Sequence, residues 1–130
     1  MSGFLIVFLG AGLGGAARHG ANLAALRLLG PGAFPWGTLL VNALGSFLIG
    51  AVAETFALRS GLPQAWRLFL TTGILGGFTT FSAFSLETVV LWERGEAGAA
   101  AAYVAASVGL SVGAVLGALV LVRAALGGPG

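Results

Sequence analysis

The run from Gly76 to Ser85, with the sequence GGFTTFSAFS, is the part of the chain whose residue types best fit ion chemistry. It lies near the middle of an apolar segment long enough to cross a bilayer. Glycine, threonine and serine are poor residues for a helix interior, so the run predicts a break in that helix. In hydrocarbon each freed carbonyl or amide costs about 2–7 kcal/mol unless it packs in protein, lines a watery path or binds an ion. Carbonyls that converge at such a break, beside the nearby hydroxyl groups, make a cation site.

Two phenylalanines in this run, Phe81 and Phe84, are three residues apart. If a helix resumes after the break, both lie on one of its faces. A phenyl ring is negative on its faces and positive at its edge, so ring edges favour an anion and ring faces a cation. Ordinary packing is the other explanation for two phenylalanines beside a polar break, and the residues alone leave both open.

Two other predicted helices carry polar side chains in steps of four residues, which places each set on one helix face. The first set is Thr38, Asn42 and Ser46, and the second is Tyr103, Ser107 and Ser111. The carboxamide of Asn42 can serve an ion or a neighbouring helix, since it both donates and accepts. The serines either line a polar track or bond back to carbonyls of their own helix. Neither set carries a charge, so neither is typical of a proton relay.

Charged residues inside the apolar segments are few. Arg18 falls well inside a predicted span, where it either snorkels to the interface or raises the potential at the mouth of an anion path. Glu87 lies two residues beyond Ser85 and is interfacial, protonated or paired with an arginine. Glu54 is near the end of its segment and is interpreted as a rim charge.

The composition is that of a membrane protein. Of its 130 residues 58% are hydrophobic and 8% charged, whereas soluble domains carry about 25% charged residues. The mean hydropathy is +1.02. Cysteine is absent, which excludes disulfides and cysteine-based metal sites. The sequence offers no nucleophile–base pair, metal-ligand cluster or phosphate loop, so we predict a small channel or transporter and not an enzyme.

Four apolar segments of about 20 residues or more predict four membrane helices in a single domain, 1–130. The spans cover about 3–26, 35–58, 65–92 and 97–122, and the third contains the GGFTTFSAFS run. The first residues lack the basic region of a signal peptide, so the N-terminal segment is interpreted as the first membrane helix. The predicted fold class is an all-α membrane protein whose third helix is broken near the bilayer midplane.

The distribution of arginines gives a weak orientation signal. Arg59, Arg67 and Arg123 fall on the side of the two termini, and Arg27 and Arg94 on the other. A three-to-two split permits insertion both ways up, and therefore an antiparallel dimer, although one orientation can still dominate.

An oligomer is expected, because chains this short usually build a polar path between subunits. Glycines four residues apart let helices approach closely, either within one subunit or at a subunit interface. These glycines are Gly10 and Gly14, and Gly109, Gly113 and Gly117.

Three motifs resemble one family of membrane proteins. The run 76–84 is similar to the signature of the small bacterial fluoride channels, the Fluc or CrcB family. The second-helix motif of that family resembles residues 37–47, GTLLVNALGSF, and its first-helix motif resembles residues 14–18, GGAAR. Length, four spans and weak charge bias agree, so the resemblance covers nearly the whole chain. One departure is His19, where the family favours Tyr or Phe after the arginine.

The resemblance implies an antiparallel, dual-topology homodimer with two fluoride pores in the bacterial inner membrane. Such a channel exports fluoride passively and keeps its cytoplasmic concentration low. Backbone carbonyls of Gly76 and Thr79 from both subunits would hold a structural sodium ion, and Arg18 would lie at the pore mouth. The residues implied for the fluoride pathway are Phe81 and Phe84 through their ring edges, Asn42 through its amide, the polar track of Tyr103, Ser107 and Ser111, and also Thr38 and Ser82.

Two rival functions remain. A small multidrug proton antiporter also has four helices, but it needs a titratable carboxylate deep in the first span, and this chain has none there. A non-transporting membrane assembly subunit would need neither a broken third span nor two polar stripes.

Overall fold

The computed structural model describes residues 2–127, and every regular element in that part of the chain is helical. In chain order the elements are α1 (Gly3–Leu29), α2 (Trp36–Leu58), α3 (Gln64–Leu68), a π-helix (Phe69–Leu75), α4 (Gly76–Phe78), α5 (Phe81–Glu93) and α6 (Ala97–Leu126). Met1 and residues 128–130, which the predicted domain includes, lie outside the described residues.

Four helical segments are long and apolar enough to cross a membrane. They are Gly3–Leu29, Trp36–Leu58, Gln64–Glu93 and Ala97–Leu126. The prediction of an all-α fold with four membrane-length helices is therefore confirmed. The polar pair at 18 and 19 does not end α1, which continues to Leu29, and α6 continues to Leu126 instead of ending near 122.

The ends of the segments follow from local chemistry. Ser2 caps α1, because its Oγ accepts a hydrogen bond of 3.2 Å from the backbone N–H of Leu5. Each of the three connections between segments contains a glycine with positive φ, namely Gly30 at 81°, Gly61 at 86° and Gly95 at 79°. Glycine adopts this conformation without steric cost, so each connection can be a tight turn.

Glycines bring the backbone of α1 against the third segment. A Cβ on Gly10 would lie 2.8 Å from the Cα of Gly73, and a Cβ on Gly14 would collide with the carbonyl group of Ile74. Gly73 and Ile74 belong to the π-helix, a form often found at functional sites. Gly10 and Gly14 therefore serve packing within the chain, one of the two explanations for their spacing.

The glycines of α6 behave differently. A Cβ on Gly109, Gly113 or Gly117 would meet nothing within 4 Å in the described part of the chain. This face of α6 is open in a single chain, whereas Gly50 of α2 packs on the other side against Ala118.

We expect Gly14→Ala to lower the free energy of unfolding by about 2–3 kcal/mol, because the added methyl group would overpack a backbone contact. Gly12→Ala is the matched control, since Gly12 lies on the same helix with open space around it. Denaturant unfolding of the purified protein in detergent measures both changes. Equal stability of the two variants would show that the contact between Gly14 and Ile74 leaves room for a methyl group.

The buried core gathers side chains from α2, α5 and α6. Its members are Leu39, Phe84, Leu91, Ala100 and Tyr103. Large apolar side chains elsewhere face outward, as do Phe4, 93% exposed, and Phe8, 74% exposed. Such an outer surface suits contact with lipid tails or another membrane helix.

Candidate functional site

The third segment changes conformation at two threonines. α4 ends at Phe78, Thr79 and Thr80 have extended backbone, and α5 begins at Phe81. Thr79 keeps contact with the preceding turn, because its N–H and its Oγ1 both donate to the carbonyl of Leu75, at 3.1 and 3.0 Å. Thr80 caps α5, because its Oγ1 accepts from the N–H of Ala83 at 3.1 Å. The threonine pair therefore supplies hydrogen bonds that a continuous helix would have made.

Two carbonyl groups lose their helical donors at this point. In an uninterrupted α-helix the carbonyl of Gly76 would accept from Thr80 N–H, and that of Thr79 from Ala83 N–H. Thr80 N–H donates instead to the side chain of Asn42, and Ala83 N–H to the side chain of Thr80. The carbonyls of Gly76 and Thr79 are thus left without the partners that a helix would provide.

Asn42 of α2 pairs with the backbone of Thr80 in both directions. Its Oδ1 accepts from Thr80 N–H at 2.8 Å, and its Nδ2 donates to the Thr80 carbonyl at 3.0 Å. The helix-to-helix contact left open for Asn42 is therefore present. One hydrogen on Nδ2 remains for another acceptor.

A cavity of about 350 Å³ lies beside the two extended threonines. It brings together residues from the broken segment and from both polar stripes. Its lining includes Asn42, Ser46, Gly76, Thr79, Thr80, Phe81, Phe84, Ser107 and Ser111. One space is thus lined by five residues predicted for the fluoride pathway, namely Asn42, Phe81, Phe84, Ser107 and Ser111. Gly76 and Thr79, the two residues predicted to bind a cation, line it as well.

The two phenylalanines are neighbours with different exposure. Phe84 is buried, with 9% of its surface exposed, whereas Phe81 is 77% exposed in the single chain. Their ring centroids are 5.3 Å apart and the ring planes meet at 53°. The rings therefore adjoin at the cavity, and most of the surface of Phe81 is exposed in the single chain.

The two buried residues of the α6 polar stripe, Tyr103 and Ser107, have different surroundings. Ser107 lines the cavity, and its buried Oγ makes no hydrogen bond within residues 2–127. The back-bonding explanation for the serines is therefore not seen at Ser107. Tyr103 is fully buried away from the cavity, with its ring 5.2 Å from that of Phe84 and 5.5 Å from that of Phe34. Its hydroxyl approaches Thr38 without the geometry of a hydrogen bond.

Thr38 and Glu87 form a second polar contact, outside that cavity. Thr38 Oγ1 donates to Glu87 Oε1 at 2.6 Å. Both residues line a separate space of about 270 Å³, together with Asn22 and Trp36. Glu87 therefore has a threonine partner 49 residues away, which no local spacing in the sequence indicates.

The remaining predicted residues lie outside the cavity lining. Ser82 Oγ is 3.2 Å from Thr80 Oγ1, on the first turn of α5. Arg18 is half-buried on α1, and its buried Nε makes no hydrogen bond within the described part of the chain. Glu54 pairs with Arg123 of α6 at 3.2 Å, a contact that leaves the arginine 59% exposed.

Comparison with known proteins gives the family. The family model described as CrcB-like protein, Camphor Resistance (CrcB), matches residues 5–119. The chain belongs to the CrcB-like family. The matched range contains every residue that lines the cavity beside the break.

Several curated CrcB-like relatives share most of this sequence. A protein of Granulibacter bethesdensis is 69% identical over 128 residues, which is 98% of this chain and 100% of the relative. Proteins of Methylobacterium nodulans and of Rhizobium etli are 59% and 55% identical, each over 92% of this chain and 94% of the relative. All three carry the name Fluoride-specific ion channel FluC, the name of a non-enzymatic protein.

Proposed function

We propose that this CrcB-like chain forms a fluoride-selective ion channel through which fluoride leaves the bacterial cytoplasm passively. The observation that carries the proposal is 69% identity, over 98% of the chain, to a protein named as a fluoride-specific ion channel. The cavity beside the break adds a chemical reason that does not depend on the name.

Fluoride is a small, strongly hydrated anion, so its path must replace water with hydrogen-bond donors and positive ring edges. The cavity is lined by Ser107, whose buried hydroxyl has no hydrogen-bond partner within residues 2–127, by Asn42, which keeps one Nδ2 hydrogen, and by the rings of Phe81 and Phe84. Aspartate and glutamate are absent from its lining among the described residues, so no fixed negative charge there repels an anion. A passive path suffices, because fluoride enters cells as neutral HF and is trapped by dissociation.

Growth of a fluoride-sensitive bacterium tests the physiological part of the proposal. A strain without its own fluoride exporter should grow on fluoride when it expresses this chain, and should stop growing with an empty vector. Rescue by the vector alone, or no rescue despite membrane expression, would contradict export as the role.

The channel unit is proposed to be an antiparallel homodimer in the bacterial inner membrane. Phe81 is 77% exposed in the single chain, and it lines the cavity beside the extended threonines. A second copy would cover this face and complete a path that four helices alone do not enclose. The weak arginine bias agrees with insertion in both orientations.

Because the chain has no cysteine, a single introduced thiol reports the orientation. Ser60→Cys places it in the exposed connection between α2 and α3. We expect a membrane-impermeant thiol reagent to label roughly half of the protein in sealed vesicles, and the rest only after the vesicles are permeabilised. Labelling that is complete or absent before permeabilisation would show that one orientation dominates.

A structural sodium ion is proposed at the carbonyls of Gly76 and Thr79. These are the two carbonyls whose helical donors are diverted to side chains, and both residues line the same cavity. When bound between two subunits, such an ion supplies a fixed positive charge that lowers the cost of a nearby anion. The purified dimer should therefore unfold at a higher temperature in sodium than in N-methylglucamine, and equal unfolding temperatures would count against the ion.

A further inference from the structure

We infer that Asn42 is a positioning residue that holds the third segment open at Thr80. Its carboxamide bonds to both backbone polar groups of that residue, so Thr80 N–H is not available as the α-helical donor to the carbonyl of Gly76. The consequence for conduction rests on the proposed channel function, whereas the effect on the backbone does not.

The argument begins with the geometry of the pair. Asn42 and Thr80 exchange two hydrogen bonds, of 2.8 and 3.0 Å, in the manner of two residues on neighbouring β-strands. Thr80 has the matching extended conformation, with φ −152° and ψ 112°. The Asn42 side chain therefore takes the place of a neighbouring strand. It satisfies the N–H and the carbonyl of Thr80, which would be costly to leave without hydrogen bonds in hydrocarbon.

The second step concerns the competing conformation. If Thr80 N–H were free, its nearest helical acceptor would be the carbonyl of Gly76, and the bond between them would continue the helix. Asn42 Oδ1 occupies that donor instead. The Asn42 side chain therefore favours the extended conformation of Thr80 over a continuous helix. Because Asn42 also lines the cavity, its carboxamide connects the cavity to the Gly76 carbonyl, one turn before Thr80.

The face of α2 supports the same arrangement. Gly45, three residues after Asn42, has no room for a Cβ, because the side chain of Thr79 fills the space and the ring of Phe78 lies 3.2 Å away. Asn42 and Gly45 thus contact consecutive residues of the break from one helix face. Asn42 holds Thr80 against α2 through hydrogen bonds, and the absence of a side chain at Gly45 lets Thr79 pack closely on the same helix.

The experiment is solid-state NMR of the full-length protein in lipid bilayers without fluoride, with threonine labelled by ¹³C and ¹⁵N. In wild type the Cα and Cβ shifts of Thr79 and Thr80 should be those of extended residues. In Asn42→Ala they should move toward helical values or broaden from exchange between two forms. Unchanged threonine shifts in this variant would overturn the inference.

Asn42→Asp gives a second test, should the alanine variant fail to assemble. A carboxylate still accepts from Thr80 N–H but cannot donate to the Thr80 carbonyl. The extended Cα and Cβ shifts should therefore persist, while the carbonyl shift of Thr80 changes. A Thr80 carbonyl shift equal to that of wild type would contradict the paired arrangement.

Ser107→Ala is the matched control, since Ser107 lines the same cavity but bonds to no group of the break. It should lower fluoride flux about tenfold, the loss expected when one donor is removed, and leave the threonine shifts unchanged. An Asn42 that acted only as an anion donor would behave in the same way as Ser107. Wild-type protein without fluoride flux would defeat the proposed function and still leave the threonine shifts to decide this inference.

Discussion

Liposomes that contain the Phe81→Ile variant are expected to lose fluoride about 10–100-fold more slowly than those with wild-type protein. Isoleucine keeps apolar bulk beside the cavity but has no positive ring edge to face the anion. A deficit of about 1.4–2.8 kcal/mol in the stabilisation of the permeating ion corresponds to that range of rates. Efflux is measured with a fluoride electrode after the liposomes are opened to potassium by an ionophore.

Phe8→Ile is the control for this variant. Phe8 is 74% exposed, close to the 77% of Phe81, but it lies on α1 and away from the cavity. Its replacement should leave efflux at the wild-type rate. Wild-type efflux from Phe81→Ile itself would show that the ion does not pass this ring.

Asn42→Ala should reduce fluoride efflux at least about 100-fold, while its elution volume on size-exclusion chromatography stays that of wild type. The change removes two hydrogen bonds to Thr80, each worth about 1–3 kcal/mol when its loss leaves a buried group unpaired. It also removes a donor from the cavity, so the path is altered in shape and in chemistry.

Thr55→Val controls for the loss of a polar group from α2. The Thr55 hydroxyl bonds to the carbonyl of Ala51 on its own helix, at 2.7 Å, and it does not reach the cavity. Efflux from this variant should match wild type. If Asn42→Ala also conducts at the wild-type rate, the cavity beside Thr80 is not the path.

The helical architecture could be predicted because it depends on local properties of the sequence. Four long apolar segments have few ways to satisfy their backbone in a membrane other than as helices. The interruption at Thr79 and Thr80 is also local, since Gly76 and Gly77 precede it and weak helix formers surround it. The extended residues Thr79 and Thr80 lie within this run of weak helix formers, whereas a helix broken near the bilayer midplane stays a prediction.

The contacts around the break could not be predicted in the same way. Asn42 and Thr80 are 38 residues apart, and Thr38 and Glu87 are 49 residues apart. A four-residue period indicates which side chains share a helix face, but not which neighbour that face meets. The π-helix Phe69–Leu75 was likewise not predicted, because its wider turns carry no simple sequence signal, and the close approach of Gly73 to Gly10 of α1 is a contact between distant parts of the chain.

The stripe on α6 shows the same limit within one helix. Tyr103 and Ser107 are four residues apart, and both are buried without a hydrogen bond to the hydroxyl in the described chain. Ser107 nevertheless opens to the cavity, while Tyr103 packs between Phe34 and Phe84. Four-residue spacing places the two residues on one face of α6, but it does not encode which neighbours each of them meets.

The most direct test of the central claim is anion efflux from liposomes that contain the purified wild-type protein, measured for fluoride and for chloride in parallel. The account predicts rapid fluoride efflux, and chloride efflux no faster than from protein-free liposomes. No fluoride efflux, or equal rates for the two anions, would contradict a fluoride-selective channel.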